Sequence, residues 1–146
     1  MKDYQYYLKE ILITEKELNN RVSELGAQIS LDYKDSEEFL LVCILRGAVV
    51  FLIDLAKHIT VPHAMDFMAI SSYGVGSRDS TGVVRITMDL STNISNKDVL
   101  IVEDIIDSGN TLSYVLDLLS TRKPKSLKIC TLLNKVERRE VDIPIK

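Results

Sequence analysis

The stretch VLIVEDIIDSGNTL, residues 99–112, places three carboxylates beside a loop of small and hydroxyl-bearing residues. Glu103 and Asp104 are adjacent, and Asp107 follows after two apolar residues. Ionised carboxylates only accept hydrogen bonds, so they suit the hydroxyl groups of a sugar or a hard cation such as Mg²⁺. The loop suits an anion instead, because Gly109 allows a tight turn and N–H groups at a helix start attract phosphate. A ligand that carries sugar hydroxyls, phosphate and magnesium would satisfy all of these groups together.

The phosphate-binding part of this pattern is predicted to be the loop that leads into a helix starting near Thr111. We expect the backbone N–H groups of four consecutive residues to converge there: Ser108, Gly109, Asn110 and Thr111. The hydroxyls of Ser108 and Thr111 are further donors. A simpler explanation is that Asp107 and Thr111 merely cap a helix. Glu103 and Asp104 would then be solvated charges at a strand end. The pattern by itself favours neither explanation.

The apolar pattern of the chain predicts alternating strands and helices around this stretch. Short, continuously apolar runs predict strands buried on both faces: FLLVCIL at 39–45, DVLIV at 98–102 and SLKICTLL at 126–133. Two further strands are predicted at 63–73 and 82–90. Three helices are predicted: one that starts after the capping-box pair Thr14 and Glu17, one over 48–59 and one over 111–122. This order predicts an α/β fold with a parallel sheet flanked by helices, whose ligands collect beyond the carboxyl ends of the strands. Glu103 and Asp104 are placed just after the end of their strand.

Length and composition indicate one domain, residues 1–146, without a general nucleic-acid or membrane-binding surface. The net charge of −3 includes no long basic block, which argues against a nucleic-acid partner. The N-terminus lacks the apolar run of a secretory signal, and no segment has the roughly 18 apolar residues of a membrane span. A cytoplasmic location is therefore expected. Cys43 and Cys130 lie inside apolar runs, which predicts reduced core residues.

The 99–112 stretch resembles the phosphoribosyl-diphosphate signature of the type I phosphoribosyltransferases: apolar residues, an acidic pair, two apolar residues and a small-residue loop. Asp107 at the head of that loop is similar in particular to the hypoxanthine-guanine branch. Three further motifs follow the family order. LRGAVVF at 45–51 resembles the pyrophosphate loop, SSYG at 71–74 resembles the mobile active-site loop, and LLNK ends at Lys135, which resembles the purine-contacting lysine.

The resemblance implies an enzyme of purine salvage that depends on Mg²⁺. It would transfer the phosphoribosyl group of phosphoribosyl diphosphate to N9 of hypoxanthine or guanine, giving IMP or GMP and pyrophosphate. Glu103 and Asp104 would meet the ribose hydroxyls and the magnesium ion, and residues 108–111 would hold the 5-phosphate. Asp107, also part of the phosphoribosyl site, would be the general base near N7 of the purine. Lys135, a donor only, would contact the 6-oxo group and disfavour a 6-amino purine.

The resemblance also assigns the two remaining motifs. Arg46 and Gly47 would bind pyrophosphate, and the peptide bond between Leu45 and Arg46 can be cis in the family. Ser72 and Tyr73 would belong to a lid loop that excludes water during the reaction. The family commonly forms homodimers or homotetramers, so the same is expected here.

The chain departs from the family pattern at its end, VDIPIK, residues 141–146. The family ordinarily continues with a segment that carries an aromatic residue stacked on the purine and another aspartate of the magnesium site. We therefore expect a single phosphoribosyltransferase domain that lacks this usual C-terminal segment. It is either an inactive fragment of a longer chain or a protein whose purine pocket is open on one side.

Two other functions stay open at this point. A non-catalytic regulator would keep the phosphoribosyl-diphosphate site as a sensor, but it would be expected to carry a basic nucleic-acid-binding surface, and KVERRE at 135–140 is too short and mixed for that. A doubly wound nucleotide-binding domain of another class would leave the acidic pair and Asp107 unexplained.

Overall fold

A computed structural model of the chain describes residues 8–72 and 84–145. It contains five strands, three helices and a short 3₁₀ turn at Val136–Arg138. The strands are β1 (Phe39–Leu45), β2 (Ala64–Ser72), β3 (Val84–Met88), β4 (Asp98–Ile106) and β5 (Ser126–Asn134). The helices are α1 (Glu15–Asp32), α2 (Val49–Ala56) and α3 (Asn110–Ser120). These elements confirm the predicted alternation.

The strands form one sheet in the order β3-β2-β1-β4-β5. β1 lies parallel to both β2 and β4, and β4 lies parallel to β5, as predicted. The edge strand β3 differs, because it runs antiparallel to β2. Only residues 73–83 separate these two strands, whereas a parallel connection usually needs a crossover of a dozen or more residues. The sheet is therefore parallel except at this edge.

The sheet has an apolar core on each face. On one face, α1 and α2 pack against β1 through residues such as Val22, Leu52 and Leu55. On the other face, α3 packs through Leu112, Val115 and Leu119. Parallel strands covered by helices on both sides are expected to be apolar throughout, and this explains the uninterrupted FLLVCIL run.

Two details of the chain were predicted correctly from local pattern. Thr14 and Glu17 form the capping box that starts α1. Cys43 and Cys130 are buried and free, and burial raises the pKa of each thiol to about 11, so both remain protonated. They serve as core residues.

The predicted end of β4 was wrong. The strand does not stop at Val102 but continues to Ile106, where it is paired with Asn134 of β5. Glu103 and Asp104 therefore lie within the strand rather than after it. The long β5 supplies ladder partners that the apolar pattern of β4 alone does not reveal.

None of the helices in the described part of the chain combines the length and the apolar character that crossing a membrane requires.

Gly26 sets how closely α1 approaches the end of α2. An added Cβ would lie 2.4 Å from His58 Cβ and 2.8 Å from the His58 carbonyl carbon. Alanine ordinarily stabilises an exposed helix by about 1 kcal/mol over glycine, but overpacking costs about 1–3 kcal/mol. We expect Gly26→Ala to lower the free energy of unfolding measured in urea. The exposed Asn20→Ala in the same helix should leave it unchanged or raise it, and a Gly26→Ala protein as stable as wild type would contradict this packing.

Candidate active site

A cleft of about 290 Å³ opens at the carboxyl ends of the central strands. It lies between β1 and β4, where the strand order reverses. From β1 the chain continues to β2 on one side of the sheet, whereas β4 and β5 lie on the other side. This is the position at which ligands bind in open α/β sheets. The lining includes the ends of three strands and the loop before α3: Ile44, Leu45, Ile70, Glu103, Ile105, Ile106, Asp107, Ser108, Gly109, Thr111 and Leu112.

The loop before α3 leads into a helix start that receives no side-chain cap from the described residues. Gly109 is the N-cap residue, with a φ of 90° that glycine adopts readily. The Asn110 N–H lies 3.4 Å from Ser108 Oγ, at the limit of a hydrogen bond. The explanation of Asp107 as a helix cap is therefore wrong. An uncapped helix start, with its N–H groups at a cleft, is suited to bind an anion.

The two adjacent carboxylates near the end of β4, Glu103 and Asp104, have different neighbours. Glu103 lines the cleft, whereas Asp104 reaches Gly47 in the loop after β1. A Cβ on Gly47 would lie 2.6 Å from Asp104 Oδ2, so only glycine allows this approach. Asp104 Oδ1 accepts a hydrogen bond of 2.8 Å from the Ile105 N–H. The structure thus connects the acidic pair with the loop predicted to bind pyrophosphate.

The peptide bond between Leu45 and Arg46 is cis, as the resemblance allows. Arg46 and Gly47 are exposed beyond the end of β1. Leu45 lines the cleft itself. The predicted pyrophosphate loop therefore adjoins the predicted phosphate loop across the cleft.

The electrostatics of the acidic pair favour a cation. Burial, and to a lesser degree the neighbouring Asp104 carboxyl, raise the pKa of Glu103 to about 8. Among residues 8–72 and 84–145, no lysine or arginine forms an ion pair with either carboxylate. The described residues also contain no cluster of three metal-ligating side chains. Two carboxylates that have no ion-pair partner among the described residues fit Mg²⁺, which is often held by one or two protein carboxylates together with substrate phosphates and water.

Asp107 and Lys135, the two residues predicted to contact the purine, lie close together in the structure. Lys135 Nζ is 4.0 Å from Asp107 Oδ2. Asp107 Oδ1 is buried and accepts no hydrogen bond from the described residues. The Lys135 N–H donates a 2.9 Å bond to the Ile106 carbonyl, which fixes the lysine backbone beside the carboxylate. A donor and an acceptor therefore stand next to each other, and the acceptor, Asp107, lines the cleft.

Sequence reasoning missed the segment that supports the loop from outside. The Glu140 N–H donates to the Ser108 carbonyl at 2.9 Å. An added Cβ on Gly109 would lie 2.8 Å from Ile143 Cδ1 and 3.2 Å from the Val141 carbonyl oxygen. The alternation of apolar residues in VDIPI was a weak signal for a packed segment, but no motif marks it.

The predicted lid loop is mostly outside the described residues. Ser72 ends β2, and Tyr73 belongs to the part of the chain that is not described. Their role stays a prediction.

Comparison with known proteins adds a family to this geometry. Residues 10–145 match the family described as "Phosphoribosyl transferase domain". The chain is similar to the hypoxanthine phosphoribosyltransferase of Salmonella typhimurium, with 55% identity over 94% of this chain and 77% of the relative. It is also 51% identical to the hypoxanthine-guanine phosphoribosyltransferase of Dictyostelium discoideum, over 94% of this chain and 78% of that protein.

The fold is likewise similar to a solved structure. The hypoxanthine phosphoribosyltransferase of Staphylococcus aureus superimposes with a TM-score of 0.92 and 46% identity, covering 100% of this chain and 79% of that one. The mixed five-stranded sheet flanked by helices is therefore the type I phosphoribosyltransferase fold.

The raised pKa of Glu103 predicts a pH dependence of stability in the metal-free protein. The folded state keeps this proton up to about pH 8, whereas the unfolded chain loses it near 4.5. The unfolded state then binds fewer protons between these values, so stability falls as pH rises through them. In the presence of a chelator, we expect Tm to fall between about pH 5 and about pH 9. This fall should be smaller for Glu103→Gln than for wild type. The exposed Glu37→Gln should behave as wild type, and an unchanged loss in Glu103→Gln would contradict the assignment.

Proposed function

Since this chain belongs to the phosphoribosyl transferase domain family, we propose that it is a purine-salvage enzyme specific for 6-oxopurines. It transfers the phosphoribosyl group of phosphoribosyl diphosphate to N9 of hypoxanthine or guanine, and it releases IMP or GMP and pyrophosphate. The observation that carries this proposal is one cleft that joins an uncapped helix start with the Asp107–Lys135 pair. The names of the relatives support the same substrates.

The phosphate end of the substrate binds at the start of α3. Backbone N–H groups of residues 108–111 and the hydroxyls of Ser108 and Thr111 hold the 5-phosphate, aided by the positive end of the helix dipole. Glu103 lines the same cleft and accepts hydrogen bonds from the ribose hydroxyls. The substrate is thereby fixed at both the phosphate and the sugar, which orients C1 for attack.

Magnesium would be held by Glu103 and Asp104 together with oxygens of the substrate. When bound, this ion neutralises charge on the departing pyrophosphate. Asp104 lies against Gly47, so the acidic pair adjoins the loop that would bind that pyrophosphate. The exposed guanidinium of Arg46 and the backbone N–H groups after it are its proposed donors.

The purine is recognised by the donor–acceptor pair at the cleft. Lys135 donates a hydrogen bond to the 6-oxo group, and an ammonium cannot accept one from a 6-amino group. Asp107 accepts the proton from N7 as N9 forms its bond to C1 and the bond between C1 and the pyrophosphate oxygen breaks.

Several properties of this enzyme stay predictions. Ser72 and Tyr73 are proposed to belong to a lid that excludes water from the reacting carbon. A homodimer or homotetramer and a cytoplasmic location are expected from the resemblance.

The proposed function is tested by incubating the protein with phosphoribosyl diphosphate, Mg²⁺ and each of four radiolabelled bases: hypoxanthine, guanine, xanthine and adenine. We expect labelled nucleotide from hypoxanthine and guanine, little from adenine, and none after a chelator is added. Binding of phosphoribosyl diphosphate without turnover of any base would favour the regulator. Absence of both binding and turnover would overturn the proposal.

Asp107→Asn tests the general base. The amide keeps the size of the side chain but cannot take a proton from N7, so kcat should fall by about 10²–10⁴-fold. Calorimetric affinity for magnesium and phosphoribosyl diphosphate should stay within about threefold of wild type. The exposed Asp117→Asn in α3 is the matched control and should keep full activity. Undiminished turnover in Asp107→Asn would remove Asp107 from this role.

A further inference from the structure

Residues 139–143, which we call the strap, lie across the outer side of the phosphate loop. The N–H groups of Glu140 and Val141 both donate to the Ser108 carbonyl, at 2.9 and 3.3 Å. The Ile143 side chain is 6% exposed and lies against Gly109. The strap thus contacts the loop on the side away from the cleft.

Glu140 holds both neighbours of the glycine at which the loop turns. Its backbone N–H binds the carbonyl of Ser108 before the turn. Its Oε2 accepts a 2.6 Å hydrogen bond from the Asn110 side chain after the turn. Gly109 between them has a φ of 90°. Two fixed points on either side of one flexible residue restrict the conformations open to it.

The packing of the strap leaves the glycine no room to move outward. Besides Ile143, the hypothetical Gly109 Cβ would lie 3.2 Å from Arg139 Cδ and 3.2 Å from the Val141 carbonyl oxygen. The direction of the N–H groups at the start of α3 follows from the conformation of this residue. A support outside the cleft therefore controls groups that point into it.

We propose that Glu140 is a positioning residue for phosphoribosyl diphosphate, which pre-forms the phosphate loop by bonding both sides of Gly109. The proposal rests on the proposed function, because it assigns the residue a part in binding that substrate. Glu140 does not touch the substrate. It acts by removing conformational freedom that the ligand would otherwise have to restrict on binding.

The test compares Glu140→Ala and Glu140→Gln with the exposed Glu137→Ala, a matched control on the same segment. In Glu140→Ala we expect the Kd and KM for phosphoribosyl diphosphate to rise by about five- to twentyfold. Its kcat and its KM for hypoxanthine should change by less than about twofold, since the purine site is untouched. Glu140→Gln keeps an acceptor for Asn110, so it should restore most of the affinity. Glu137→Ala should behave as wild type.

A second measurement separates the strap from the enzyme activity. Amide hydrogen exchange of residues 106–112 in the ligand-free protein should become faster in Glu140→Ala and stay unchanged in Glu137→Ala. If this holds while the wild-type protein binds no phosphoribosyl diphosphate, the proposed function fails and the positioning role for that substrate fails with it, but the support of the loop stands.

Three results would overturn the positioning role alone. Wild-type affinity for phosphoribosyl diphosphate together with wild-type amide hydrogen exchange in Glu140→Ala would show that the loop does not need the Glu140 side chain. Tighter binding in that variant would show that the carboxylate acts mainly by repelling phosphate. An equal loss of affinity for both substrates, with a lowered Tm, would show a general structural role.

Discussion

The site depends on a helix start whose N–H groups receive no side-chain cap. Helix α3 begins at Gly109 without a capping hydrogen bond. Such a start lowers the stability of the protein without ligand, because polar groups left without a partner lose the stabilisation that a cap usually supplies. The groups are useful only if they keep one orientation. The surrounding structure must therefore fix the loop without filling the cleft, and the strap and the β4–β5 ladder do this from behind.

The acidic pair is also suited to a charged ligand, but to a cation rather than an anion. Burial of Glu103 next to Asp104 raises its pKa to about 8, so the site favours a bound proton or cation over two free charges. Across the cleft, the uncapped helix start favours an anion. A ligand that carries both a cation and phosphates can bind the acidic pair and the helix start at once. The acidic pair and the helix start do not pair with each other, because one lies in β4 and the other at the loop before α3. The two opposite electrostatic preferences therefore favour one class of ligand.

Local pattern predicted the elements well and their extent less well. The limits of β1 agree with its apolar run, and the Thr14–Glu17 capping box starts α1, because both features depend on neighbouring residues only. The end of β4 depends on pairing with β5, a segment more than twenty residues later, and was wrong. The approach of Asp104 to Gly47 and the clamp by Glu140 also depend on tertiary placement. The resemblance named Asp107 and Lys135, but only the folded chain brings them to 4.0 Å.

The segment after β5 connects the two halves of the site physically. Its first residue, Lys135, bonds the Ile106 carbonyl through its N–H, and Glu140 bonds the Ser108 carbonyl in the same way, each at 2.9 Å. Asp107 lies between these two carbonyls. The residues proposed as purine contact and general base, Lys135 and Asp107, and the proposed phosphate loop are therefore held by one short stretch of chain against the end of β4. A displacement of this stretch would change the distance from Asp107 to Lys135 and the conformation of Gly109 together, so in the proposed reaction a single support sets the geometry of attack on C1. For a reaction that needs the base and the sugar within bonding distance, one shared support is more precise than two independent loops.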